Sequence, residues 1–296
     1  MISGNVPKHL VVGARTGFLT ALKAAKADWK RIAMPIKMGA KSIELVDLGA
    51  APMPKDHYTA QDMIEKYKTV TPSDWSIVVW ISYNAVKDDQ TGSLERKVKG
   101  AGRNFDKHMN DRCFTVLNAG DGQTYGACYD GQDFIDSDHV DKGAHYQTSQ
   151  DNENALSLNG DNFETVWVAT QGFKDDQGEE TGYVYDLIVC HPSNRREAHQ
   201  ICKNEWLDWG TGNREQNPWQ GELDYITTPK FDTTAWHLVA SSEPIKPLIL
   251  AMREEPALQD AWFDPKAEDG GRYYFKFFAR YEVHYGDWRT VNQGNT

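Results

Sequence analysis

Cysteine is scarce. The 296-residue chain has only Cys113, Cys128, Cys190 and Cys202, too few for a disulfide framework. Long apolar runs are missing too: the longest, residues 77–81 and 247–252, fall far short of the ~20 residues a membrane-spanning helix needs. The first residues, Met1-Ile2-Ser3-Gly4-Asn5, hold no basic stretch followed by an apolar segment, so no secretory signal is visible. Nor is there a basic excess. Lys and Arg number 32 against 43 Asp and Glu, for a net charge of −11. That balance argues against a protein whose main task is gripping nucleic acid through its phosphates, but not against one that surrounds nucleic acid loosely. A soluble intracellular protein is expected.

Signature motifs are also missing. No Gly-x-x-x-x-Gly-Lys-Ser/Thr loop, Gly-x-Gly-x-x-Gly turn, Gly-x-Ser-x-Gly elbow or His-Glu-x-x-His helix occurs. What is present is ordinary globular composition, 40% hydrophobic and 25% charged, enough for one large domain or two modest ones.

The pattern along the chain predicts an N-terminal arm over residues 1–14 and a helix over 15–30, with Phe18, Leu19, Leu22, Ala25 and Trp29 at helical spacing. Residues 36–84 read differently. Short strand-like segments flank a turn-rich tip, Gly49-Ala50-Ala51-Pro52-Met53-Pro54, and the return ends in the β-branched and aromatic run 75–83. This predicts an extended hairpin with little apolar material of its own. Residues 92–117 repeat Leu94, Val98, Ala101, Phe105, Met109 and Val116 in steps of three and four, a helix of ~25 residues or ~38 Å. A Gly-, Asp- and Asn-rich loop region spans 121–160. Helices over 163–172, with Asp161 as cap, and over 193–203 bracket a strand at 185–190. Strands follow at 222–227, 235–240, 247–252 and 272–285.

Candidate chemistry reduces to bland readings. Asp130, Asp133, Asp136, Asp138 and His139 form an acidic run, but the carboxylates lie three apart, not at calcium-loop spacing; a solvated turn is expected. Cys190, His191, His199 and Cys202 lack the paired spacing of a zinc knuckle, which leaves core cysteines. Glu254-Glu255 and Asp175-Asp176 read as solvent-facing turns. Ten tryptophans invite a carbohydrate-binding reading, yet Trp29, Trp75, Trp80, Trp167 and Trp236 fall in core-like segments. No nucleophile, base and oxyanion donor assemble, and no cofactor or metal is expected.

Four strings carry a resemblance. They are Trp29-Lys30-Arg31-Ile32-Ala33-Met34; Ala127-Cys128-Tyr129-Asp130-Gly131-Gln132-Asp133-Phe134-Ile135-Asp136 with His139; Asn217-Pro218-Trp219-Gln220-Gly221-Glu222-Leu223; and Ala235-Trp236-His237-Leu238-Val239 running to Lys246-Pro247-Leu248-Ile249. In this order, with Arg280 and Tyr285-Gly286-Asp287-Trp288, they resemble the major head (capsid) subunit of Mu-like phages and prophages over roughly residues 15–290. Val140 stands where that family often has proline.

The resemblance implies an α+β fold, the Hong Kong 97-type capsid fold. Residues 1–35 would be the N-terminal arm and helix, 36–84 the extended loop, 85–154 the peripheral domain with its spine helix, 155–240 the axial domain, and 241–296 return strands of the peripheral domain. It implies a non-enzymatic protein that self-assembles into hexamers and pentamers of an icosahedral virion shell in the host cytoplasm. The shell would enclose DNA without sequence-specific binding, with its acidic charge limiting adsorption. Partners would be a separate scaffolding protein, since no fused scaffolding domain is expected, a portal and a cement protein, and no membrane. Expected interface residues are Ile43, Leu45, Leu48, Pro52, Met53 and Pro54; Tyr129, Asp130, Gly131, Lys246, Pro247 and Arg280 would be structural. The competing reading is a soluble Trp-rich ligand- or carbohydrate-binding module, and a third is a hydrolase using residues 130–139.

Overall fold

The computed structural model describes residues 6–39, 42–46, 65–88, 92–140, 148–175, 178–208, 214–268 and 270–295. In chain order its elements are α1 (Lys8–Ala24), β1 (Ala33–Lys37), β2 (Ser42–Val46), β3 (Glu65–Thr69), β4 (Ser73–Ser82), α2 (Tyr83–Lys87), α3 (Ser93–Asn118), β5 (Glu153–Asn154), α4 (Gly160–Gln171), β6 (Leu187–Cys190), α5 (Arg195–Lys203), β7 (Trp206–Asp208), β8 (Arg214–Gln216), β9 (Asp224–Thr227), β10 (Trp236–Val239), β11 (Leu248–Asp264), β12 (Arg272–Tyr285) and β13 (Val291–Gly294).

The predicted long helix is α3, and its stripe of Leu94, Val98, Ala101, Phe105, Met109 and Val116 is buried. Under it lies a four-stranded sheet in the order β1-β11-β12-β4. Strand β12 shows the period-two pattern that fits it there. Tyr273, Phe275, Phe277, Ala279 and Tyr281 are buried, while Tyr274, Lys276, Phe278 and Arg280 between them are half-exposed. Phe18 of α1 stacks on Phe277 at 4.3 Å and meets Phe105 of α3 edge-on at 5.7 Å. Each fully buried ring of this kind contributes about 1.5–3 kcal/mol. The two helices approach closely because Gly102 carries no side chain: a Cβ there would lie 2.6 Å from the Phe18 carbonyl oxygen.

The first helix differs from expectation. It starts at Lys8 and ends at Ala24, with Val11 and Ala14 buried, so residues 8–14 are not an arm. Ala25 is extended, and Trp29 enters the core from a separate 3-10 turn at Asp28–Arg31, its backbone N–H donating to Asn110. The segment 36–84 also divides otherwise than the sequence predicts. Strands β1 and β4 form opposite edges of the large sheet, β1 parallel to β11 and β4 antiparallel to β12. Only β2 and β3 pair as a hairpin.

A five-stranded second sheet has the order β5-β13-β10-β6-β9. All four residues of β6 and of β10 are buried, as continuous apolar runs of central strands should be. Helix α4 begins at Gly160, and its cap is Asn159, whose side-chain oxygen accepts from the Asn162 N–H at 2.9 Å; Asp161 lies inside the first turn. The C-terminal strand β13 was not expected, and it pairs with β10 in this second sheet and not with the large one. Its sequence, Val-Asn-Gln-Gly, has no apolar alternation, yet all four residues are buried. Strand β11 is longer than the predicted 247–252. Beyond Met252 three register shifts against β12 break its alternation, so Glu254 and Glu255 are exposed on a strand, not in a turn.

Candidate assembly surfaces

Among the described residues the hairpin pairs with neither large sheet. β2 and β3 pair from Ser42↔Thr69 to Val46↔Glu65, and among the described residues no further strand joins them. Ile43 and Leu45 lie on β2 opposite Lys68 and Lys66. Leu48, Pro52, Met53 and Pro54 fall in residues 47–64, outside the described residues. A two-stranded ribbon is marginal in water by itself.

The acidic string is not the solvated turn its composition suggests. Gly131 takes a positive φ of 90° that closes the turn Cys128–Gln132, bringing Asp130 inward. Asp130 accepts from the Gln132 N–H and faces His139, Oδ2 to Nδ1, at 2.6 Å, both side chains fully buried. The imidazole lies flat on Trp288, with ring centroids 4.1 Å apart and planes 2° from parallel. Its other nitrogen meets Asn152 Oδ1 at 3.2 Å, while Asn152 Nδ2 donates to the carbonyls of Phe134, Trp288 and Val291. Tyr129 extends the knot, donating to Asp287 at 3.4 Å and accepting from Arg289 at 3.0 Å. The string thus sews the loop after α3 to the C-terminal segment.

Lys246 and Pro247 do related work where β11 begins. The Lys246 ammonium donates to the backbone carbonyls of Ser241 and Glu243, and the Pro247 carbonyl accepts from Gly286 at 2.7 Å. Arg280 forms an ion pair with Asp74 at 3.0 Å, holding edge strand β4 to β12. The spine helix is fixed by a second polar cluster that sequence reasoning missed. Arg112 Nε donates to Glu282 at 2.9 Å, Ser73 to the same carboxylate at 2.7 Å, and His108 shares a 2.7 Å hydrogen bond with Tyr281. These partners are 170 or more residues apart along the chain, so no local spacing announces them.

The cysteines are buried, and burial pushes the Cys190 and Cys202 thiols up to about 12, which removes them as nucleophiles near neutrality. No cluster of three His, Cys, Asp or Glu able to hold a metal exists among the described residues. Of the five tryptophans expected inside, Trp29 and Trp236 are buried, Trp75 and Trp167 half-buried, and Trp80 is 41% exposed. Trp80 faces outward from β4 between the buried Val79 and Ile81, with Arg272 over its ring at 4.1 Å and Lys97 at 4.6 Å. Val78 is exposed beside it.

One buried group ties stability to acidity. His237 on β10 is wholly buried edge-on to Phe231, and burial pushes it down to about 3. Its ordinary value is near 6.5, so below that pH the unfolded chain takes up a proton that the folded chain refuses. Its contribution is complete above about pH 6.5 and is lost toward pH 3 by about 1.4 kcal/mol per unit. Replacement His237→Leu should flatten the fall of Tm between pH 6 and pH 4; equal slopes in both proteins would show that other groups set it.

A spine helix on a four-stranded sheet, a second sheet with its own helices and an outlying hairpin together define a capsid subunit of the Hong Kong 97-type fold. Solved shells bear the likeness. The procapsid of bacteriophage JBD30 matches with TM-score 0.60 at 18% identity, covering 100% of this chain and 76% of that one. The virus-like particle from Pyrococcus furiosus matches with TM-score 0.52 at 10% identity, over 95% and 97%, and the capsid of the native GTA particle with 0.53 at 12%, over 91% and 89%. No curated protein matches in sequence. The Mu-like prophage major head subunit gpT family matches residues 8–157 and 144–231, and the chain belongs to that family.

Proposed function

We propose that this chain is the major capsid protein of a tailed bacteriophage or prophage, whose copies form hexamers and pentamers of an icosahedral shell around double-stranded DNA. Membership of the major head subunit family carries the reading, and a hairpin without a third strand among the described residues supports it. Such a ribbon gains most from a surface supplied by another copy, as do the edges β1 and β4. The protein is non-enzymatic, its buried polar clusters serving packing.

On this reading residues 36–84 hold the intersubunit arm, 85–154 the peripheral domain and 155–240 the axial domain. The return strands of 241–296 serve the peripheral domain, apart from β13. A scaffolding protein, a portal and a cement protein complete the head, which assembles in the host cytoplasm. Electron microscopy of the protein expressed alone and with its neighbouring genes tests this. Capsomers or closed shells are expected. A chain that stays strictly monomeric when concentrated, and forms no shell with its scaffold present, would overturn the proposal.

A further inference from the structure

The charge of −11 is divided unevenly along the chain. Residues 1–118 contain 18 Lys and Arg against 12 Asp and Glu, whereas residues 119–296 contain 14 against 31. The fold gathers much of the basic share on the helical layer over the large sheet. Along α3, Arg96, Arg103 and Lys107 are exposed, with Lys99 half-exposed among them. At these spacings they share one helix face, about 16 Å long from the first to the last. Among the described residues Glu95 is the one exposed carboxylate of α3, and it is bound to Lys99 at 2.6 Å. Asp106 is buried, and Asp111 pairs with Lys230 at 3.4 Å. Helix α1 lies alongside, contains no acidic residue, and exposes Lys8, Arg15 and Lys23.

The kind of partner follows from what this face lacks. The exposed positions of α3 are Glu95, Arg96, Lys97, Arg103, Asn104 and Lys107, none of them apolar; the exposed apolar side chains nearby are scattered at its borders, Trp80 under Lys97 and Arg272 with Val78 on β4, and Val12 and Leu19 on α1. A protein partner would need aromatic or aliphatic anchors to exclude water. A phosphate backbone needs cations and close approach. Gly100 supplies the approach. It sits within the stripe, and a Cβ there would meet nothing within 4 Å, so internal packing does not call for glycine. Helix propensity disfavours it, whereas a bulky rod coming near the backbone is served by it.

We propose that the exposed face of α3, with the adjoining cations of α1, is the surface through which the shell touches double-stranded DNA, by weak phosphate contacts that read no sequence. This rests on the reading of the chain as the subunit of a DNA-enclosing shell. The acidic remainder of the subunit repels the duplex, which confines contact to this layer.

The test uses full-length unassembled subunits and a labelled mixed-sequence duplex of about 30 base pairs, followed by fluorescence anisotropy. Four neutralised phosphates predict an affinity that falls about 150-fold between about 50 and about 200 mM salt. The triple variant Arg96→Glu, Arg103→Glu, Lys107→Glu should lose at least about tenfold in affinity and most of that salt slope, while Arg96→Lys with Arg103→Lys keeps both. Should the triple variant fail to fold, Lys107→Gln alone must lower the slope by about 0.9. A triple variant with unchanged affinity and slope overturns the proposal. So does polyglutamate that competes more strongly than duplex at equal charge, which would assign the face to an acidic protein. Shell formation is scored separately by microscopy. Wild-type subunits that bind duplex but never close would count against the shell reading alone; shells from the triple variant with undiminished DNA affinity would sink this inference alone.

Discussion

Replacing residues 47–64 with a short Gly-Ser linker leaves the subunit folded and abolishes closed shells. The expectation rests on where the segment is attached. It leaves from Val46 and returns at Glu65, the last rung of a two-stranded ribbon that no third strand extends among the described residues. Among the described residues the main hydrophobic core comes from α1, α3 and the two larger sheets. Removing the segment therefore takes little from the monomer, and a shorter loop costs less to close, by only about 0.6 kcal/mol per halving of length. The unassembled variant should melt within a few degrees of the intact subunit. Outright unfolding would place the arm in the monomer's own core. Particles of normal size would make the arm dispensable and move the essential contacts to the spine helix and the axial loops.

Asp130→Ala should be the most damaging single substitution in the sewn loop. It removes one member of a buried pair and strands His139 beneath Trp288 with a polar nitrogen facing nothing. Leaving a buried polar group without its partner costs about 1–3 kcal/mol. For a chain of this size that corresponds to a drop in Tm of roughly 5 °C. Thermal unfolding of unassembled subunits checks it, and a change under about 2 °C would mean that the loop is held by its backbone bonds and by Asn152 instead.

Where one periodicity ran unbroken, the sequence was readable. The α3 stripe and the alternation of β12 announced themselves because each buries one regular face, and their bounds in the fold lie within a residue of those expected. The far half of β11 did not, since three register shifts scramble its alternation. β13 was invisible because its buried residues are polar and its strand character comes from neighbours distant in sequence. The same holds for the candidate site. The string around Tyr129, Asp130 and Gly131 was legible as a motif, but its burial was not: four carboxylates over nine residues look solvated until His139 and Trp288 are seen to close over the first of them. Trp80 failed in the opposite sense, an aromatic in a strand-like run that happens to occupy the outward phase.

The position of β13 has a consequence for synthesis. A ribosome delivers α3 and then β10 ahead of residues 291–294, which form the strand that lies between β5 and β10. Until they emerge, β10 has an unpaired edge and Asn152 lacks two of the carbonyls it binds, those of Trp288 and Val291. A nascent or prematurely terminated subunit therefore cannot present the finished second sheet to a growing shell. Truncation before residue 291 would remove the strand that joins β5 to β10 and leave one edge of β10 open, the kind of edge that recruits wrong partners.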